Sequence, residues 1–118
     1  MLNRGSEWRR WDLHVHTPDT ALNDQFGSWD EYLTAVESHP DVVAMGVTDY
    51  MSITNYSTLK QHKAKGRLKN IQLLIPNIEF RIAPPSDKAT ALNIHLLVSP
   101  EELDHERERP FSARLADR

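Results

Sequence analysis

The chain has 118 residues, a formal net charge of −3, 39% hydrophobic residues and no cysteine, enough for one small domain. Mild acidity excludes a globally basic surface for nucleic acid, and the absence of cysteine excludes disulfides, thiolate metal ligands and a cysteine nucleophile. No apolar run nears the roughly 20 residues that span a bilayer. Without thiolates, any bound metal must be held by nitrogen and oxygen from six histidines and seventeen acidic residues.

Residues 1–10 are polar, carry Trp8 and lack the apolar segment of a secretory signal, which predicts an N-terminal arm on a soluble, cytoplasmic protein. In residues 11–17, apolar Trp11, Leu13 and Val15 alternate with Asp12, His14 and His16, the period of a half-buried strand over 11–16. Two imidazoles two residues apart on a strand face the same way, and neutral imidazole is the commonest side-chain metal ligand. Taken alone, the pair fits chelation or a polar face turned to water. The loop over 18–27 has no period and places Asp19 just beyond the histidines, a position where reactive side chains are often found.

Ser28-Trp-Asp-Glu31 has the capping-box form, and Trp29, Tyr32, Leu33, Ala35 and Val36 make one stripe, predicting a helix over 29–38 that Pro40 ends. Residues 42–47 form a short continuous apolar run, as in a strand buried on both faces, and deliver Thr48, Asp49 and Tyr50 at its C-terminal end. A weakly amphipathic helix is predicted over 55–66, with Gly66 as its stop. Its lysines, with Arg67 and Lys69, form one basic cluster, read as a solvated face rather than a phosphate-tracking patch. Residues 71–75 are apolar. After Pro76, Ile78, Phe80 and Ile82 alternate with Asn77, Glu79 and Arg81. A turn at 84–87 leads to a last strand over 91–98, with His95 and Asn93 opposite Leu92, Ile94, Leu96 and Val98. Residues 101–118 are charged and helix-like.

Alternating strands and helices predict a mostly parallel α/β sheet or part of a barrel, with ligands at the C-terminal strand ends. Four strands then offer Asp12, His14 and His16, Asp49, Glu79, and His95, a nitrogen and oxygen set suited to a divalent cation such as zinc or manganese. Each residue also has a plain structural alternative. His95 suits a hydrogen-bonded core residue, Glu79 a partner of Arg81, and Asp49 a cap for the next turn. His39, His62 and His105 read as surface or packing residues.

In order and at short intervals, Asp12-Leu-His14-Val-His16-Thr, Gly46-Val-Thr-Asp49, Asn77-Ile-Glu79 and Ile94-His95-Leu96 resemble the opening motifs of the PHP (polymerase and histidinol phosphatase) family. The segment from Arg4 to Asp19 resembles more closely the PHP module at the front of TrlF-type and SMC-like AAA ATPases. The resemblance covers residues 4 to about 100 and implies the N-terminal half of a distorted (β/α)7 PHP-type barrel. That half-barrel would occupy residues 11–100, between the arm and the tail. It implies a metal-dependent phosphoesterase in which a water activated by metal attacks a phosphomonoester or a nucleic-acid phosphodiester. His14, His16, Glu79 and His95 would be the metal ligands, Asp19 and Asp49 catalytic carboxylates, and Asp12 would orient an imidazole from behind.

Where the family's second motif ends Thr-Asp-His, this chain has Thr48-Asp49-Tyr50, so one or two zinc or manganese ions are expected rather than three. The family's later histidine and Asp-x-His motifs are not found here, which reads as a truncated barrel, marginal in stability or prone to associate. The partners implied are a phosphoester substrate, nucleic acid and a C-terminal ATPase domain in a longer protein. Two alternatives remain: a PHP-like binding or regulatory module of weak activity, and a non-functional fragment.

Overall fold

In chain order the elements are β1 (Arg10–His16), α1 (Trp29–Glu37), β2 (Val42–Tyr50), α2 (Thr54–Ala64), β3 (Leu73–Ile82), β4 (Leu92–Leu97) and α3 (Pro100–His105). The computed structural model describes residues 8–20, 26–83 and 90–105. The arm before Trp8, part of the loop after β1, the predicted turn at 84–87 and the tail beyond His105 lie outside the described residues.

The strands form one sheet in the order β1-β2-β3-β4. β1 with β2 and β2 with β3 are parallel, and β4 returns antiparallel to β3. The predicted strands and helices are present, and the two apolar stretches around Pro76 join into the single strand β3. A proline inside a central strand is unusual. Here the Pro76 carbonyl accepts from Val98 N–H on the β4 side, so the missing amide of the same residue also faces that side, where the β4 ladder has ended. Pairing with β2 loses nothing.

α1 begins and α2 ends as their sequences dictate, while α2 starts after Ile53 with no side-chain cap. Ser28 Oγ accepts Glu31 N–H at 3.2 Å, while the Glu31 carboxylate reaches back to Gly27 N–H at 3.0 Å, one residue beyond the expected box. α2 ends in a Schellman motif. Gly66 has φ 101°, Gly66 N–H donates to Lys63 O, and Arg67 N–H donates to His62 O. The chain then turns back under α1. Glu37 takes Arg67 bidentately at 2.9 and 3.1 Å and also accepts Leu68 N–H at 2.8 Å. Arg67 further binds Asp30, so this cation of the basic cluster is engaged within the fold.

Tyr32 and Leu33 of α1 and Tyr56 and Leu59 of α2 pack with Met45, Val47, Leu74 and Ile78 of the sheet, and with Leu68 and Ile71 between α2 and β3. This apolar layer covers one face of the sheet, and the other face carries polar side chains. The sheet is curled. Adjacent strands lie about 4.8 Å apart, so a flat sheet would separate β1 from β4 by about 14 Å. Instead the rings of His14 on β1 and His95 on β4 lie 4.5 Å apart between centroids. The helices pack on the convex side and the histidines gather on the concave side. No helix among the described residues is long and apolar enough to cross a membrane.

Candidate metal centre

The concave face is shaped by an irregularity in β1. Asp12 pairs with Met45 and Val15 with Val47, so three steps along β1 match two along β2. This is a bulge at Leu13 and His14. Bulges re-aim side chains, and here the Leu13 carbonyl turns toward β2. It fits because residue 46 is glycine: a Cβ there would overlap the Leu13 backbone. Past the bulge, His14 and His16 share the concave face. Asp12 stays on the other side, where Asp12 and Val15 line a cavity of about 180 Å3 beneath α1. Asp12 Oδ1 accepts the backbone N–H of His14 at 3.2 Å, so Asp12 braces the bulge.

Three donor atoms converge. His14 Nε2 and His16 Nε2 are 3.0 Å apart, His16 Nε2 is 3.1 Å from Glu79 Oε2, and His14 Nε2 is 3.3 Å from the same oxygen. Hydrogen bonds cannot fill all three edges of this triangle. A carboxylate only accepts, and two protonated ring nitrogens 3.0 Å apart would turn their hydrogens on each other. A cation satisfies all three lone pairs at once. Ligands about 2.1 Å from one ion are about 3.0 Å apart in an octahedral and about 3.4 Å apart in a tetrahedral arrangement, the range found here. His14, His16 and Glu79 can therefore hold a metal ion, and they are the one such group of three among the described residues.

The triangle has depth. The Glu79 side chain is 1% exposed, that of His16 22% and that of His14 51%, so the carboxylate forms the floor and His14 the mouth. Burial holds the His16 imidazole below the ordinary histidine range, with Glu79 opposing and His14 adding to the shift. That favours the neutral ring that metals bind. His16 Nδ1 is buried without a well-formed hydrogen bond. Tyr50 lies flat against His16, with centroids 5.2 Å apart and planes at 21°. The residue that stands where the resemblance expects an imidazole thus packs against the His16 ring.

His95, the fourth expected ligand, stands beside the triangle, its Nε2 3.9 Å from Glu79 Oε1. Glu79 thus turns one oxygen toward the β1 histidines and the other toward β4. The two expected catalytic carboxylates lie outside the converging group. Asp19 accepts the Trp29 indole N–H at 2.7 Å and ties the loop after β1 to α1. Asp49 alternates with Thr48 and Tyr50 and so faces the helices, 2% exposed. It accepts the Thr17 hydroxyl at 2.6 Å, and Asn55 of α2 donates to that hydroxyl at 2.9 Å. Burial raises the Asp49 carboxyl above its ordinary value, with Thr17 opposing. Asp49 joins the ends of β1 and β2 to the start of α2. His62 stacks on Trp29 and His39 is exposed.

Sequence reasoning assigned no role to Gly46, Thr48 or the side chain of Asn77. Asn77 is 2% exposed and faces the concave side beside Glu79. A buried amide on a polar strand face was the available signal, because it must find partners. Comparison of the chain with protein-family models, with curated proteins and with solved structures returns no match.

Proposed function

We propose that this chain forms part of a metal-dependent phosphoesterase of PHP type, with His14, His16 and Glu79 as ligands of a divalent ion. The observation that carries the reading is the triangle of donor atoms 3.0 to 3.3 Å apart on a curled sheet. The mixed nitrogen and oxygen set suits zinc or manganese. Glu79 Oε1 and His95 extend the site toward a second ion, which fits one or two ions rather than three. A bound divalent ion supplies Lewis acidity, activating a water and drawing electron density from a phosphoryl oxygen.

The chain's own groups hold and shield. Glu79 brings negative charge into a buried floor, where it attracts a cation more strongly than a surface carboxylate would. Tyr50 fixes the plane of His16, and the half-exposed His14 leaves the mouth open to a substrate. Arg81, two residues beyond Glu79 on the same face of β3, is exposed and gives that face a cation for a phosphate. Phosphomonoesters and nucleic-acid phosphodiesters are the proposed substrates, and an ATPase domain in a longer protein is the proposed partner.

The decisive measurement is metal content by elemental analysis after loading with manganese or zinc, for the chain and for His14→Ala. Stoichiometric metal in the first and loss in the second is expected; equal metal in both would overturn the site. Tyr50, a packing residue where the resemblance expects a ligand, favours a second reading as a binding or regulatory module. Turnover of aryl phosphates and single-stranded DNA by the loaded protein separates the two readings.

A further inference from the structure

We infer that Asn77 is the positioning residue of this centre: one buried amide both holds the β1 bulge that aims His14 and His16 and selects the tautomer of His95. Asn77 lies on β3, two residues before Glu79. Its Nδ2 donates to Leu13 O at 2.8 Å, reaching past β2 to β1, and to Thr48 Oγ1 at 3.0 Å. Its Oδ1 lies 3.2 Å from His95 Nδ1 on β4. A single side chain thus touches the other three strands of the sheet.

The orientation of the amide follows from its partners. Leu13 O is a carbonyl and can only accept, so the Asn77 atom facing it must be the NH2 group. The oxygen then faces His95, and an amide oxygen only accepts, so His95 Nδ1 must carry the hydrogen. In a neutral imidazole this leaves the lone pair on Nε2, the nitrogen turned toward Glu79 Oε1. A histidine whose far nitrogen donates to a fixed acceptor is oriented and made a better ligand. On β1 the same amide anchors the inward carbonyl of Leu13, the residue before His14, which the missing Cβ of Gly46 admits. The other contacts at the bulge are longer, Thr48 Oγ1 to the same carbonyl at 3.5 Å and His14 N–H to Asp12 at 3.2 Å, so the Asn77 bond is the shortest one holding it.

The consequence for metal rests on the function proposed above; the tautomer does not. Long-range 1H–15N correlation spectra of the metal-free chain, recorded at about pH 8 where imidazoles are neutral, read the tautomer of His95 directly. The Nδ1–H form is expected in the chain itself, and a dominant Nε2–H form would overturn the proposal without any variant. In Asn77→Leu, His95 loses the Nδ1–H preference, and manganese or zinc binding by titration weakens about tenfold to a hundredfold. Asn77→Asp separates the two tasks: it still accepts from His95 and keeps the tautomer, but it cannot donate to Leu13 O. Its carboxylate would itself draw a cation, so the readout is the contact between the His14 and His16 rings, expected to be lost in cross-relaxation spectra of the metal-free variant. An unchanged His14–His16 contact in folded Asn77→Asp would overturn the bulge-holding half. If the chain binds no metal, the metal reading fails while the tautomer measurement still decides the Asn77–His95 half.

Discussion

Gly46 shows how little space one residue can leave. Its backbone lies against the inward-turned Leu13 carbonyl, and a methyl group would overlap that carbonyl and come within 2.8 Å of the Leu13 Cα. The neighbour is backbone and cannot swing aside as a side chain can. Gly46→Ala is therefore expected to cost about 3 kcal/mol of stability, measured by urea unfolding, and to abolish metal binding by pushing β1 away. A Gly46→Ala chain with unchanged affinity would mean that the bulge does not aim the histidines. Tyr50 and Asn77 were visible only as types in the sequence. Their partners, the His16 ring and the Leu13 carbonyl, lie 34 and 64 residues away, and no local period encodes such contacts.

At the scale of elements, the join between α1, α2 and β3 depends on Glu37. Its bond to the Arg67 guanidinium holds the carboxyl below its ordinary value, and the Leu68 amide adds to the shift. A carboxyl lowered on folding stabilises the native state above its unfolded pKa, and that contribution is lost as pH falls through the folded value. Glu37→Gln should thus lose about 1 kcal/mol at neutral pH, after allowing for solvent screening. The difference from the parent chain should shrink toward zero in acid. Urea unfolding of both proteins across that range tests this, and a gap that widens in acid would contradict it. The elements themselves were legible: the Ser28 and Glu31 cap, the Gly66 stop and the facing of Glu79 follow from local chemistry. The basic cluster was legible only as composition, and its Arg67 proves to be a structural clamp.

Across the whole molecule, the unbalanced feature is β4. Leu92, Ile94, Leu96 and Leu97 are 60, 43, 40 and 45% exposed, on a strand that among the described residues is paired on one side only and is free of the charged residues that guard natural sheet edges. Expressed as this chain, the protein is expected to self-associate with rising concentration, and Ile94→Lys with Leu96→Lys should shift it toward monomer in sedimentation velocity. A parent chain that stays monomeric at high concentration would remove the argument. His95 faces the concave side, so the substitutions leave the metal centre a separate measurement.

What the sequence by itself determined is local: strand and helix periods, caps, the mixed α/β order, and the shared facing of Asn77, Glu79 and Arg81 on β3; on β1 the alternation put Asp12 with the histidines, and the bulge separates them. These follow from backbone geometry within a few residues. Convergence belonged to the tertiary structure. Only the curl of the sheet brings β1, β3 and β4 within reach, and only the bulge at Leu13, admitted by Gly46 and held by Asn77, turns two alternating histidines into two corners of a triangle. Both features arise from packing between strands far apart in sequence, where a shift of one residue reverses every side chain.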